Sequence, residues 1–177
     1  TMMRAMIQTP AHERSDLSCL RLCLSSGEVL SPQLYEEWLS TFGTEVIDRF
    51  GSAESGMGYL CNRPGAVRPG SSGKVTPLAE IKLVDDEGVE VPRGQPGLLL
   101  TRSDAAAQHY VREHEKSKAT FLGDEWINTG DVFTQDEADY FWYIGRADEM
   151  VKVSGVWVSP LEIERTLQEC PSVRECA

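Results

Sequence analysis

The chain has 177 residues, of which 41% are hydrophobic and 25% charged, a composition that buries a core and excludes a disordered or repetitive polymer. Its formal net charge of −11 argues against a nucleic-acid or anionic-membrane partner, because a polyanion would be repelled. Any phosphate ligand must therefore be held by local cations, a metal or backbone N–H groups. Five cysteines, at 19, 23, 61, 170 and 176, include no C-x-x-C and read as reduced thiols of a cytoplasmic protein. His12, His109 and His114 are too scattered for a zinc site, no apolar run approaches a membrane span, and no basic-then-apolar leader follows Met2 and Met3.

The first residues read as the middle of a helix, as a cut end would. Leu20 to Ser25 is a short apolar run ending at Ser25-Ser26-Gly27, expected to be a buried strand entering a loop. Ser31 and Pro32 predict a helix start. Leu34, Tyr35, Trp38, Leu39 and Phe42 then recur at helical spacing, and Gly43 stops the helix. Glu45 to Phe50 is the next strand, with a second glycine loop at Gly51. Strand, helix, strand is α/β architecture, in which ligands favour the carboxyl ends of strands. The Pro/Gly-rich stretch from Asn62 to Gly73 marks a subdomain boundary. Beyond it Ile81, Leu83, Val89 and Val91 flank an Asp-Asp-Glu-Gly turn, a hairpin pattern. Leu98 to Thr101 and Tyr140 to Ile144 read as strands and Glu113 to Phe121 as a surface helix, so 71–145 is expected to be mostly β, as a small distorted barrel. After Gly145-Arg146-Ala147-Asp148, two valine-rich strands flank Ser154-Gly155. Ser159-Pro160-Leu161-Glu162 has the form of a capping box. The fold class is α/β plus β: 1–70 α/β, 71–145 β-rich, and 146–177 the start of a second small α+β domain.

Several residues could carry chemistry, each with a plainer reading beside it. Asp131, in Thr129-Gly130-Asp131 after a strand-like Glu125 to Asn128, suits a vicinal diol such as a ribose; it also reads as a turn aspartate bonding its own backbone. Glu54, behind Phe50-Gly51-Ser52-Ala53, can hold a hard cation beside phosphates, or stand as a solvated loop glutamate. Phe50 can stack on a purine or belong to the core. Arg146 is a natural diol or phosphate donor, or one half of a weak surface pair with Asp148. Gly70 to Lys74 only superficially suggests a phosphate loop: G-x-x-x-x-G-K-[ST] would need glycine where Arg68 stands and Ser or Thr where Val75 stands.

The order of these pieces along the chain resembles the acyl-adenylate-forming (AMP-binding) enzymes. Leu20 to Glu28 resembles the family's glycine turn, Phe50 to Glu54 its aromatic-Gly-x-Thr-Glu motif, and Asn128 to Glu164 its Thr-Gly-Asp, Gly-Arg-x-Asp and hairpin-helix sequence. The segments NRPGAVRPGSSGK and VKVSGVWVSP look closest to benzoate-type aryl- or acyl-CoA ligases. The resemblance implies that Gly27, Glu28, Phe50, Gly51, Ala53, Glu54, Asp131 and Arg146 surround ATP or AMP. Glu54 binds Mg²⁺, and Asp131 and Arg146 reach the ribose. Met57 and Gly58 face the acyl pocket, Asp148 is the hinge, and Ser154, Gly155 and Trp157 belong to the loop of the thiol tunnel. It also implies a small carboxylic acid substrate and coenzyme A as co-substrate. A carrier protein as acceptor, or a degenerate non-catalytic homologue, are the alternatives.

The chain departs from the family pattern at Ala53, where threonine is usual, which removes a phosphate-contacting hydroxyl. A hydrogen bond to a charged group is worth about 1.5–3 kcal/mol, so weaker adenylation is expected. Glu149, where a second aspartate is common, is a milder change. The family's phosphate loop and catalytic lysine are not within the 177 residues, so the chain is expected to be a fragment, inactive alone.

Overall fold

The computed structural model describes residues 2–9, 16–153, 156–168, 170 and 172–173. Helix α1 (Met2–Gln8) precedes β1 (Cys23–Ser25), α2 (Pro32–Phe42) and β2 (Val46–Ser52). Strand β1 pairs in parallel with β2, Ser25 opposite Asp48, so 23–52 forms the expected strand–helix–strand unit. The ends of α2 follow from local chemistry. Ser31 Oγ accepts from the Leu34 N–H at 3.2 Å and Pro32 opens the first turn; Gly43, at φ 66°, closes the last by donating to the Leu39 carbonyl. Tyr35 and Trp38 bury themselves against Leu30 and Val46, and Met3 and Ile7 of α1 pack on the same cluster.

Strand β1 is shorter and less buried than expected. Leu20, Leu22 and Leu24 are exposed, Leu24 to 64%. Among the described residues β2 is its only strand partner, so its other edge is unpaired among them. The glycine loop expected at Gly51 is also absent. Strand β2 runs through Gly51 to Ser52 with a bulge after Phe50, then turns at 53–56 into β3 (Met57–Cys61), a strand not read from the sequence. A Cβ at Gly51 would overlap the Met57 carbonyl. Only glycine lets the two arms approach so closely.

Strand β4 (Lys74–Val75) pairs with β3, so backbone pairing runs across the Pro/Gly-rich 62–73 segment. Buried Asn62 holds that segment down, donating to the Ser71 carbonyl at 2.8 Å and accepting from the Arg68 N–H at 3.1 Å. The second sheet is antiparallel, in the order β5 (Glu80–Val84), β6 (Gly97–Arg102), β7 (Ile127–Gln135), β8 (Phe141–Arg146). Its edge strands β5 and β8 do not pair among the described residues, so 71–145 is an open sheet, tied to the first by a single Gly73–Phe141 bridge. The Asp85–Gly88 turn brings Val91 N–H to the Leu83 carbonyl as the hairpin pattern predicts. Short helix α3 (His114–Thr120) lies on the surface.

Tyr59, Leu60, Leu83, Leu99, Phe133 and Phe141 form the core between the sheets. Strands β9 (Val151–Val153) and β10 (Val156–Val158) pair as the valine pattern predicts, while Ser154 and Gly155 lie outside the described residues. Helix α4 (Pro160–Gln168) follows. The serine of the expected capping box also makes a contact outside the helix. The buried Ser159 hydroxyl donates to the Ile144 carbonyl of β8, and backbone bonds from Glu162 and Ile163 to the Ser159 carbonyl close the first turn. The serine therefore fastens the helix to β8. Among the described residues no helix is long and apolar enough to cross a membrane.

Candidate functional site

Glu54 sits in the β2–β3 turn at the carboxyl end of β2. The turn is built on Ser55, which is fully buried; its hydroxyl donates to the Ser52 and Met57 carbonyls at 2.9 and 2.8 Å. Gly56, at φ 67°, completes it. Tyr110 reaches this turn from 56 residues away and donates its hydroxyl to Glu54 Oε1 at 2.6 Å. That bond, foremost among its surroundings, holds the Glu54 carboxyl below the usual carboxylate range, with Lys116 adding to the effect. Glu54 is therefore not a free loop glutamate, since Tyr110 holds one of its oxygens.

Asp131 is positioned by a bulge rather than by the turn expected at Thr129-Gly130-Asp131. Between Leu98–Val132 and Leu100–Asn128 the register slips, so three residues of β7 face Leu99 alone. Thr129 stabilises the bulge by donating its hydroxyl to the Leu99 carbonyl at 2.9 Å and accepting from the Asp131 N–H at 3.1 Å. Asn128 Oδ1 accepts from Gly130 N–H at 3.0 Å. Asp131 thus turns inward, opposite Arg146 at the end of β8.

Arg146 donates to the Thr129 carbonyl at 2.8 Å and approaches Asp131 Oδ1 at 3.4 Å. Its Nε donates to Asp148 at 3.1 Å, so the plainer surface pair forms as well. Gly130 is required beneath this guanidinium. Its φ is +74°, and a Cβ would lie 2.7 Å from an Arg146 nitrogen. Burial pushes the Asp131 carboxyl up to about 6, against the pull of Arg146. Desolvation wins because the carboxylate side chain is only 10% exposed while the arginine is 39% exposed and distant, and a buried charge needs close, well-aligned partners to offset its lost water. The Asp148 carboxyl, 71% exposed, is lowered by its bond to Arg146.

Tyr59 links the two parts. Its ring is fully buried in the core. Burial raises its pKa most, Asp131 and Glu54 raise it further, and Thr129 and Arg146 lower it. Strand β3 carries Tyr59 just past the Glu54 turn, and Tyr59 packs in one core with Leu99 and Phe133, which border the Asp131 bulge.

The remaining expected site residues are distributed around it. Phe50 is half-buried, edge-on to Phe133 at 5.1 Å and tilted against Tyr143 at 5.5 Å, so part of its ring belongs to the core. Gly51 is spent on the bulge, and Ala53 is exposed at the tip of the turn. Gly27, at φ 94°, and Glu28 follow β1 on the exposed surface. Gly58 is covered by the Arg49 side chain, which a Cβ at 58 would meet at 2.5–2.7 Å. Met57 lines an open cavity of about 450 Å³ with Leu78, Arg102 and Asp104. The backbone of Trp157 pairs with Lys152, while Ser154 and Gly155 are not described. Tyr110 and Tyr59 were not legible as site residues, because a lone tyrosine in a loop or strand carries no local pattern pointing to a carboxylate elsewhere in the chain.

A carboxylate–guanidinium pair on adjacent strands, with a hydrogen-bonded carboxylate in a hairpin turn, has the chemistry that grips a polar ligand. The sequence pattern of the AMP-binding enzyme family matches residues 1–111, and the chain belongs to that family. The benzoate–CoA ligase of Thauera aromatica is 36% identical over 178 residues, covering 100% of this chain and 34% of that protein. Among solved structures, the anthranilate CoA ligase AuaEII in complex with anthranoyl-AMP matches at a TM-score of 0.89 and 46% identity, covering 99% of this chain and 34% of that one. ATP-bound MatB from Rhodopseudomonas palustris matches at 0.89 and 30% identity, covering 98% of this chain and 35% of that one. The chain spans about a third of the length of the curated relatives it matches.

Proposed function

We propose that this chain is part of an ATP-dependent carboxylic acid–CoA ligase of the benzoate type. The observation that carries the reading is the grip at the end of β7 and β8, where Arg146 donates to the Thr129 carbonyl at 2.8 Å and stands 3.4 Å from buried Asp131. Relatives bound to ATP and to anthranoyl-AMP support it. In this reading residues 1–145 are the C-terminal part of a large AMP-binding domain, comprising an α/β portion (1–70) and a β-rich portion (71–145). Residues 146–177 begin a small C-terminal domain.

Asp131 accepts from the ribose hydroxyls while Arg146 donates to them, and together they fix the nucleotide so that attack on it is nearly unimolecular. Phe50 borders the adenine, and the Gly27-Glu28 turn, with Gly51 and Ala53, borders the rest of the nucleotide. Glu54 fits Mg²⁺. Among the described residues no group of three or more acidic, His or Cys side chains offers a full metal cage, and Mg²⁺ is commonly held through one or two carboxylates plus substrate phosphates. Bound there, the ion would offset phosphate charge.

The substrate carboxylate attacks the α-phosphorus of ATP, pyrophosphate leaves, and an acyl-AMP remains. Met57 and Gly58 flank the acyl group. The small domain then turns about Asp148 and brings the Ser154-Gly155 loop and Trp157 to the site. The coenzyme A thiol attacks the acyl carbonyl and AMP leaves, giving a thioester. The 177-residue chain alone is expected to be inactive.

The test is pyrophosphate exchange by the full-length protein with benzoate, anthranilate and straight-chain acids. Exchange dependent on an aryl acid, followed by thioester formation with coenzyme A, is expected; absence of acid-dependent exchange would overturn the reading.

A further inference from the structure

The segment from Ser103 to Tyr110 is strapped across the Glu54 turn at four points. Ser103 Oγ donates to the Ser55 carbonyl at 3.1 Å. The Ala107 N–H donates to the Glu54 carbonyl at 2.8 Å. The Ala105 carbonyl lies so close to Gly56 that a Cβ there would overlap it. Tyr110 completes the strap at Glu54 Oε1, at 2.6 Å. The tyrosine is itself held from three sides: its ring meets Phe121 edge-on at 5.3 Å, the Lys116 ammonium stands 4.6 Å over the ring, and its N–H donates to Ser117 Oγ at 2.9 Å.

We propose that Tyr110 is a positioning residue for Glu54: its hydroxyl occupies Oε1 and fixes the side chain, so that the carboxylate presents Oε2 to the cation as a one-oxygen ligand. This rests on the reading of Glu54 as the cation ligand. A glutamate on an exposed turn otherwise loses rotamer freedom each time it binds. A donor already in place removes part of that loss. The strap supplies the rigidity. Three of its four contacts are to turn backbone, so they orient the turn, and only Tyr110 orients the carboxylate.

The experiment compares the full-length protein with its Tyr110→Phe, Glu54→Gln and double variants. The first readout needs neither metal nor nucleotide: the carboxylate stretching bands of Glu54, isolated as ¹³C-glutamate infrared difference spectra against Glu54→Gln at one pH where the group is ionised. Tyr110→Phe removes the hydrogen bond to one oxygen and is expected to change the splitting of the symmetric and antisymmetric bands, and an unchanged splitting overturns the proposal. The second is the Mg²⁺ concentration giving half-maximal pyrophosphate exchange, expected to rise about tenfold in Tyr110→Phe with the KM for the acid unchanged. In the double variant the tyrosine change should have no further effect on Mg²⁺ dependence, since coupled residues do not add. An equal loss in both backgrounds would mean that the hydroxyl serves only folding, and the proposal falls while the ligase reading stands. Unaltered Mg²⁺ dependence in Glu54→Gln would remove the cation-ligand reading, and the proposal with it.

Discussion

The β7–β8 corner and the β1 edge both present expected nucleotide contacts, yet they are built differently. At the corner Asp131 is buried, and Arg146 is tied to the Thr129 carbonyl and to Asp148. Both rest on a core that includes fully buried Phe133. At the edge Gly27 has nothing within 4 Å of where a Cβ would stand, and Leu24 beside it is 64% exposed. A grip made of ionisable side chains needs dry, rigid support, because removing charges from water is expensive unless their partners are held in place. A grip made of backbone needs only the turn. The difference also tells which half of the candidate site these residues organise by themselves.

The sharpest way to break this contrast is to truncate one residue in each region. Phe133→Ala should cost about 3–5 kcal/mol in urea unfolding, whereas Leu24→Ala should stay within about 0.5 kcal/mol; equal costs would mean that β1 is as well packed as β7. Arg146→Ala leaves Asp131 buried without its guanidinium and should cost about 1–3 kcal/mol, with at least about tenfold weaker ATP binding by calorimetry of the full-length protein if the ribose role holds. Gly130→Ala strains a positive-φ position and displaces Arg146, and should cost more than the about 1–2 kcal/mol that left-handed strain alone brings. Gly27→Ala, in open space, should cost no more than the strain.

Titration sharpens the comparison further, since each region holds one buried carboxyl that burial pushes up to about 6: Asp48 on β2, facing Ser25 of β1, and Asp131 on β7. In the unfolded chain an aspartate ionises near about 3.9. Between that value and about 6 the folded state keeps protons that the unfolded state has released, so stability should fall as pH rises through this window and level off above it. Urea midpoints at stepped pH check the sign. Arg146→Ala should steepen the fall through Asp131 alone, and Asp48→Asn should remove only the other share. The smallest stability effect is expected at Asp148→Pro, on an exposed residue. It should spare acid-dependent pyrophosphate exchange but slow thioester formation, and equal loss of both would remove Asp148 as a hinge.

Helix α2 was legible in full because everything that bounds it lies within a few residues: a serine oxygen three residues from the amide it caps, a proline whose missing N–H has no intrahelical partner to lose, and a glycine free to adopt positive φ. The β5–β6 and β9–β10 arms were legible for the same reason, since alternation within a strand needs no distant partner. The acid and basic residues of the candidate site were legible as types. Their geometry was not. Thr129-Gly130-Asp131 looks like a turn in isolation and becomes a strand bulge because Leu99 and Arg146 supply partners from 30 and 15 or more residues away. Strand β3 was missed because its glycine and tyrosine make sense only once Arg49 covers one face and the aromatic core the other.

By itself the sequence determined the helix ends, the strand–helix–strand unit, the family and the residue types that could meet a nucleotide, because caps, periodicity and motif spacing are properties of neighbouring residues. Only the tertiary structure decided that Asp131 is buried beside Arg146, that Tyr59 shares a core with the residues bordering the Asp131 bulge, and that Tyr110 takes one oxygen of Glu54. Burial and hydrogen-bond partnership depend on which distant segments share the same space, and no local pattern encodes that.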